Sequence, residues 1–344
     1  MKNKLLTLIL FQFLITNAVF SQETSIKELF SALKSNPVSI EDDLAVQNAA
    51  SNKKIATANL YPTINAFGTY DYFSVPTGML PVPPNELFPL IQDQTLAQPF
   101  SDQIYRVGAG FTMPIFIQSL FTSIKKTKYY LASAEAKQQN NLIQNQAIIV
   151  TSVAYLDYFN SLIAALENKK QSLLKTKEIV DVKVRNGRAA GAQQMIIDNA
   201  VNQVEIAQND LKINKEQVLS SIQNLTNIRI ENPILMRINS DLDTTSLKSL
   251  LPLEEKLKAT ELSTRAEKEK LLPSVFLKGN YSYNWANAYN NGNAINNDYT
   301  AIGLAIQMPI FSKSQYSQIS KSKIETDIVK NELEKSKLFL ETEA

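Results

Sequence analysis

Leu60-Tyr61-Pro62-Thr63-Ile64 and Leu271-Leu272-Pro273-Ser274-Val275 are the same phrase written twice in this 344-residue chain. Six residues beyond each proline stand Gly68 and Gly279, followed by Tyr70 and Tyr72 in one copy and Tyr281 and Tyr283 in the other. A second pair follows in the same order: Val107-Gly108 with Ile302-Gly303, then Met113-Pro114-Ile115-Phe116 with Met308-Pro309-Ile310-Phe311. The first pair is offset by 211 residues (271 − 60) and the second by 195 (308 − 113), so the segments between them differ in length by 16. Two motifs in one order, separated by a variable loop, mark an internal duplication.

Each copy holds two stretches with the period of a strand. From Val275 to Trp285 the odd positions are Val, Leu, Gly, Tyr, Tyr and Trp, and the even ones include Lys278, Asn280, Ser282 and Asn284. Tyr105 to Met113 and Thr300 to Met308 alternate in the same way. Apolar residues on one face against polar or small ones on the other, over about 10 residues, is the pattern of a transmembrane β-barrel. One such strand would fit a soluble sandwich equally well; four in duplicated hairpins behind an export signal favour the barrel. Residues 74 to 100 carry six prolines (Pro76, Pro81, Pro83, Pro84, Pro89 and Pro99), which predicts a long loop without a ladder. The other hairpin loop, Ala286 to Asp298, is rich in asparagine. Four strands cannot close a barrel, for which about 8 is the minimum, so the barrel must be shared among subunits.

The chain opens with Lys2 and Lys4, an apolar run from Leu5 to Ile15, and small residues up to Ser21, which reads as a secretory signal peptide over residues 1–21. The run is shorter than the roughly 20 apolar residues of a bilayer-spanning helix, and no second long apolar run follows it. Removing both lysines takes the net charge from +2 to about neutral. With no basic stripe, nucleic acid is not an expected partner. The absence of cysteine and histidine excludes disulfides, thiolate and imidazole metal sites and His-based triads, so composition argues against an enzyme and for no cofactor.

From Ile115 to Asn186 there is neither glycine nor proline, enough for about 105 Å of helix. The heptad line Leu142, Ile149, Leu156, Ile163 runs through it, and Leu166, Leu173, Val180 through its end. Gly187 and Gly191 break this run, and a second one extends from Ala192 to Asn232 with Ile197, Val204, Leu211, Val218 and Leu225 seven apart. A sevenfold repeat predicts coiled-coil packing of the two helices. Before the strands, Ser25 to Glu28 forms a capping box, and helices on either side of Pro37 and Pro252 lead to Pro62 and Pro273.

With these residues in place, the chain resembles the TolC-like outer-membrane efflux proteins. The resemblance rests on the Leu60–Pro62 and Leu271–Pro273 strand starts and on the strand ends at Met113–Phe116 and Met308–Phe311. Its third support is the stretch Val184-Arg185-Asn186-Gly187-Arg188-Ala189-Ala190-Gly191, with Asp198 and Ala200 after it. It implies an α+β membrane protein: a homotrimer with a 12-stranded barrel in outer-membrane lipid, continued by a periplasmic α-helical tube. As a conduit, it would dock a periplasmic adaptor protein and an inner-membrane pump in an efflux or type I secretion system. By the same likeness Arg185, Gly187, Arg188 and Gly191 form an adaptor-docking tip, and Asp198 lies at the pore entrance. The resulting organisation is signal peptide 1–21, N-terminal helices 22–59, first β-hairpin 60–116, helical hairpin 117–232, connecting segment 233–270, second β-hairpin 271–311 and the start of a second long helix, 312–344. A second helical hairpin, part of the family pattern, does not follow Pro309 in these 344 residues. The competing expectation is therefore a truncated, non-conducting relative whose coiled coil scaffolds or binds partners.

Overall fold

A computed structural model describes residues 25–234, 236 and 248–343. The signal-peptide expectation for residues 1–21 lies outside them. The chain divides into two compact units, Met1–Asp43 with Gln138–Ser246, and Leu44–Lys137 with Leu247–Ala344.

The first unit is helical. Helix α1 (Ile26–Lys34) starts where the Ser25 hydroxyl accepts the Glu28 N–H at 3.3 Å. Helix α2 (Pro37–Ala58) begins at the proline itself, which suits a first helical position because its missing N–H has no intrahelical partner there. The glycine-free run predicted after Ile115 is one 68-residue helix, designated α4 (Gln118–Arg185), and helix α5 (Gly191–Thr226) returns beside it. The heptad positions do the packing. Ile149 and Leu156 of α4 are fully buried, with Val153 between them, against Leu219 and Ile222 of α5 and Leu29 and Leu33 of α1. Leu142, Val218 and Leu225 pack partly buried around them. Burying Leu or Ile at such a position stabilises by roughly 1.5–3 kcal/mol each.

Two expectations are corrected here. The return helix stops at Thr226, short of Asn232, because Asn227 adopts the left-handed conformation (φ 55°) and its N–H caps the Gln223 carbonyl at 2.7 Å. The Thr226 hydroxyl reinforces the stop, donating to Ile222 O at 2.7 Å and accepting the Ile228 N–H at 3.2 Å. Also, α4 contains a stretch long and apolar enough to cross a membrane by length and composition. Polar residues interrupt it, so it does not read as an apolar run, and its heptad face supplies the core just described.

The second unit holds the duplicated hairpins as one antiparallel sheet: β1 (Thr63–Tyr72), β4 (Gln103–Phe116), β5 (Ser274–Asn287) and β6 (Ala294–Gln307), in the order β1-β4-β5-β6. The two sequence repeats meet at the central pair, where Phe111 lies opposite Gly279 and Tyr105 opposite Trp285. A register shift between Pro114, which has no N–H to give, and Phe116 interrupts that ladder before its last pair, Phe116↔Val275. Gly279 and Gly108 are close-approach positions. A Cβ on Gly279 would stand 2.4 Å from the Phe111 ring, and one on Gly108 would stand 2.2 Å from the Tyr281 carbonyl oxygen.

The proline-rich loop departs from expectation. Within residues 74–100, β2 (Gly78–Met79) pairs with β3 (Phe100–Ser101), and a helix, α3 (Pro84–Gln92), lies between them. Pro84 starts that helix at a position needing no N–H donor, and the two-residue ladder avoids every proline. The asparagine-rich loop is also shorter than it reads. Strands β5 and β6 pair out to Asn287↔Ala294, leaving a turn closed at Gly292 (φ +73°), whose N–H reaches Ala288 O at 2.8 Å. In the same unit, helices α6 (Leu251–Glu269) and α7 (Lys313–Glu343) pack together through Thr264, which hydrogen-bonds Ser322 and Thr326 at 3.1 Å each.

Candidate functional site

The sheet has two unlike faces. Paired residues share a face, so the register assigns Val107, Phe111 and Met113 of β4 to the same side as Leu277, Tyr281, Tyr283 and Trp285 of β5 and Ile302, Leu304 and Ile306 of β6. The last three are 71%, 71% and 74% exposed, a degree at which isoleucine and leucine would be costly in water as a contiguous patch. Toward the end of the strands this face turns aromatic. Across three strands Tyr105 stacks on Trp285 with centroids 5.5 Å apart, Tyr70 tilts against Tyr105 at 4.9 Å, and Tyr283 lies 5.8 Å from Trp285. The sequence displays aromatics at one end of the second hairpin, but the cross-repeat stack depends on a β4–β5 register it does not reveal.

The opposite face carries Asn65, Thr69 and Asp71 of β1, Arg106, Gly108, Gly110 and Thr112 of β4, Lys278, Asn280, Ser282 and Asn284 of β5, and small residues Ala301, Gly303 and Ala305 of β6. Arg106 and Asp71 form an ion pair. Asn284, 1% exposed, is held by its amide to Asn297 O at 3.1 Å and to the Ser282 hydroxyl at 3.2 Å. The alternation read from the sequence is thus a segregation of apolar and polar surface over most of the sheet, with Phe67, Phe276 and Tyr299 also on the polar face and Asn296, Asp298 and Thr300 on the apolar face, opposite Trp285, Tyr283 and Tyr281. The ion pair was not legible, because Asp71 and Arg106 are 35 positions apart.

At the far end of the helical hairpin, α4 stops in a Schellman motif. Gly187 takes the left-handed conformation (φ +68°), its N–H bonds Val184 O at 3.0 Å, and the Arg188 N–H bonds Lys183 O at 2.8 Å. Gly191 is different: it is the first residue of α5, without positive φ, and nothing lies within 4 Å of where its Cβ would be. Of the two glycines, Gly187 supplies the left-handed residue of the turn and Gly191 opens the return helix. Arg185 and Arg188 are exposed, and among the described residues neither makes an ion pair; Arg185 Nε only approaches Asp181 O at 3.4 Å.

Asp198 lies seven residues into α5, about 10 Å from its start, and pairs across the hairpin with Lys177 of α4. That bond, more than any other influence, raises the Lys177 pKa. A raised lysine pKa contributes stability fully present below the unfolded value and lost as pH climbs through the folded one, so the pair persists at neutral pH. Asp181, one turn beyond Lys177, has a buried carboxylate oxygen with no hydrogen-bond partner. Its place in this cluster was missed, although Lys177, Asp181 and Arg185 at spacing four already put the three on one helix face.

No protein-family model matches the sequence, and no curated protein does. Solved structures do match. Over 90% of this chain and 75% of theirs, the coordinates superpose on the outer membrane protein VceC of Vibrio cholerae with a TM-score of 0.70 and 14% identity. The outer membrane channel CmeC of Campylobacter jejuni gives 0.70 and 15% over 91% of this chain and 67% of its own. The outer-membrane channel OprN gives 0.71 and 14% over 91% and 71%. At such low identity the shared property is the path of the backbone, and by that measure this chain has the fold of the TolC-like outer-membrane channels.

Proposed function

We propose that the chain is one subunit of a trimeric outer-membrane channel, a passive conduit from periplasm to exterior. The observation that carries this reading is a four-stranded sheet whose edges, β1 and β6, pair with no other strand among the described residues, with one face mostly apolar and the other mostly polar. Four is an even number, so β1 and β6 run in opposite directions. Three copies placed edge to edge therefore close antiparallel at every seam, giving 12 strands and no free edge. The apolar face then meets lipid, and the polar face lines a lumen. From Val275 to Trp285 is ten steps of about 3.3 Å; at a strand tilt of about 40° this spans about 25 Å, the height of an outer-membrane apolar band with its aromatic girdle at the rim. A scaffolding coiled coil would leave that apolar face without a role.

By extension the Gly187 turn, with Arg185 and Arg188 exposed around it, is the tip that docks a periplasmic adaptor and, through it, an inner-membrane pump. Asp198 borders the entrance, with Lys177 as its counter-ion. The test is fractionation and size. The protein without its signal peptide should co-fractionate with outer membranes, run as a trimer in mild detergent and conduct ions in a planar bilayer. A soluble periplasmic monomer refutes the reading.

A further inference from the structure

The segment 74–100 is fastened to the polar face of the sheet. Leu80 is 1% exposed, packed on Ile104 and Ala286 with Phe73 and Ile295 around it, and Ile104, Ala286 and Ile295 share the polar face by register. The Asn297 amide, also on that face, donates to Pro81 O. The Leu80 N–H reaches Pro99 O at 2.9 Å, and the other foot is tied to the β5–β6 turn: Asn290 donates to Gln94 O and Leu96 O at 3.0 and 2.8 Å and accepts the Gln98 N–H at 3.0 Å. Gly78 makes the inner foot possible, since a Cβ there would stand 2.5 Å from the Phe73 ring and 2.8 Å from Ile104.

Between the two feet the chain exposes apolar surface. Leu87-Phe88-Pro89-Leu90-Ile91 is an uninterrupted apolar run on α3; Phe88 (67%) and Ile91 stand out from it, and Leu96, beyond the end of the helix, is exposed as well. Glu86 is the one charge from Ser74 to Gln92. Pro83, Pro84 and Pro89 fix backbone angles along the segment, so the apolar face is presented by a stiff element.

We propose that this face docks on its own copies: three 74–100 segments meet on the axis of the trimer and form an apolar lid over the barrel mouth. The inference rests on the trimeric-channel reading. In a 12-stranded barrel with strands about 4.8 Å apart and tilted about 40°, the axis lies about 12 Å from the strands. A helix with its side chains is about 10–12 Å across. An element rooted on the lumenal face therefore reaches the axis, where the only neighbours are the same segments of the other two subunits. Lipid is on the opposite side of the sheet. Each copy carries two carboxylates, Glu86 and Asp93, and the contact is made by its apolar side chains, burying Phe88, Ile91 and Leu96 that are otherwise wet.

The chain has no cysteine, so Phe88→Cys introduces the sole thiol. Trimers of this variant, treated in outer membranes with a short bismaleimide, should give covalent dimers on a denaturing gel, whereas Ile302→Cys on the apolar face should give monomers only. A second variant, Phe88→Asp with Ile91→Asp, should raise single-channel conductance several-fold with trimer yield unchanged. Trimers that fail to crosslink at position 88, or conductance unchanged in the double variant, overturn the lid while leaving the channel intact. If the lid instead rests on the outer leaflet, position 88 stays monomeric under crosslinking, and the proposal fails. Absence of any trimer from the unmodified protein defeats the channel reading itself, a result visible before crosslinker is added.

Discussion

Replacing Ile302, Leu304 or Ile306 by arginine should damage assembly in proportion to depth. Ile302 lies opposite Gly279, Leu304 opposite Leu277 and Ile306 opposite Val275. If the apolar band runs from Val275 to Trp285, its midpoint falls near residue 280. Each residue advances about 2.5 Å along the membrane normal at the tilt used above, placing Ile302 about 2–3 Å from the midplane, Leu304 about 8 Å and Ile306 at the rim. Arginine costs about 2–4 kcal/mol at the midplane and about 0–1 near the interface. That predicts about 3 kcal/mol for Ile302→Arg and about 1.5 for Leu304→Arg in each subunit, tripled in a trimer. Even the Leu304 variant then loses roughly three decades in its assembly equilibrium, at about 1.4 kcal/mol per decade. Ala305→Arg, on the polar face, should assemble normally. The assay is the heat-sensitive trimer band from outer membranes, normalised to total chain. Equal yields from Leu304→Arg and Ala305→Arg, or a loss that ignores depth, would refute the membrane assignment of the faces.

Gly187→Ala should destabilise the helical hairpin by about 1 kcal/mol, because a Cβ is strained at its positive φ; Gly191→Ala should be neutral, and thermal melts of the two proteins compare them. Crosslinking from position 188 to a co-expressed adaptor should fall in Arg185→Glu/Arg188→Glu with trimer yield unchanged, and undiminished crosslinking would remove the tip's claim to be a docking site. Gly108→Ala, facing the Tyr281 carbonyl, should cost about 1–3 kcal/mol through overpacking and lower the trimer melting temperature, whereas Gly303→Ala, with nothing within 4 Å, should not. In the proposed channel the polar face would line the lumen, and its strand charges are Asp71, Arg106 and Lys278, a net of +1 per subunit (2 − 1). Lys278→Glu should therefore shift the reversal potential in a salt gradient toward cations, and an unchanged potential would show that Lys278 does not line the pore.

Periodicity made the sheet and the coiled coil readable, since both are local and both repeat. Val275, Leu277, Tyr281, Tyr283 and Trp285 alternate because one face is apolar; Ile149 and Leu156 recur by sevens because one seam is buried. What escaped depends on partners distant in sequence or on backbone angle. Asn297 finding Pro81, Tyr105 stacking on Trp285 and Lys177 meeting Asp198 all require a register or a hairpin that composition does not supply. The prolines of 74–100 were read as breakers, yet Pro84 opens a helix because its fixed φ suits that position. Gly187 and Gly191 look equivalent as letters, and only the left-handed angle at Gly187 separates them. Asn227 ends α5 by the same geometry in a residue that gives weaker warning than glycine.

If the subunit closes its barrel as proposed, the edges β1 and β6, which pair with no other strand among the described residues, make the arrival of the membrane form a many-body event. A solitary subunit carries two open ladders and a wet apolar wall, so its alternatives to meeting two siblings are pairing with any stray strand or precipitating. If three chains must meet before insertion, the rate follows the cube of their concentration, and halving synthesis slows it about eightfold by mass action. Supply of the chain would then set how many pores a cell carries far more steeply than it sets how much chain is made, and holdase capacity in the compartment where the chains wait would become a second control on the same number.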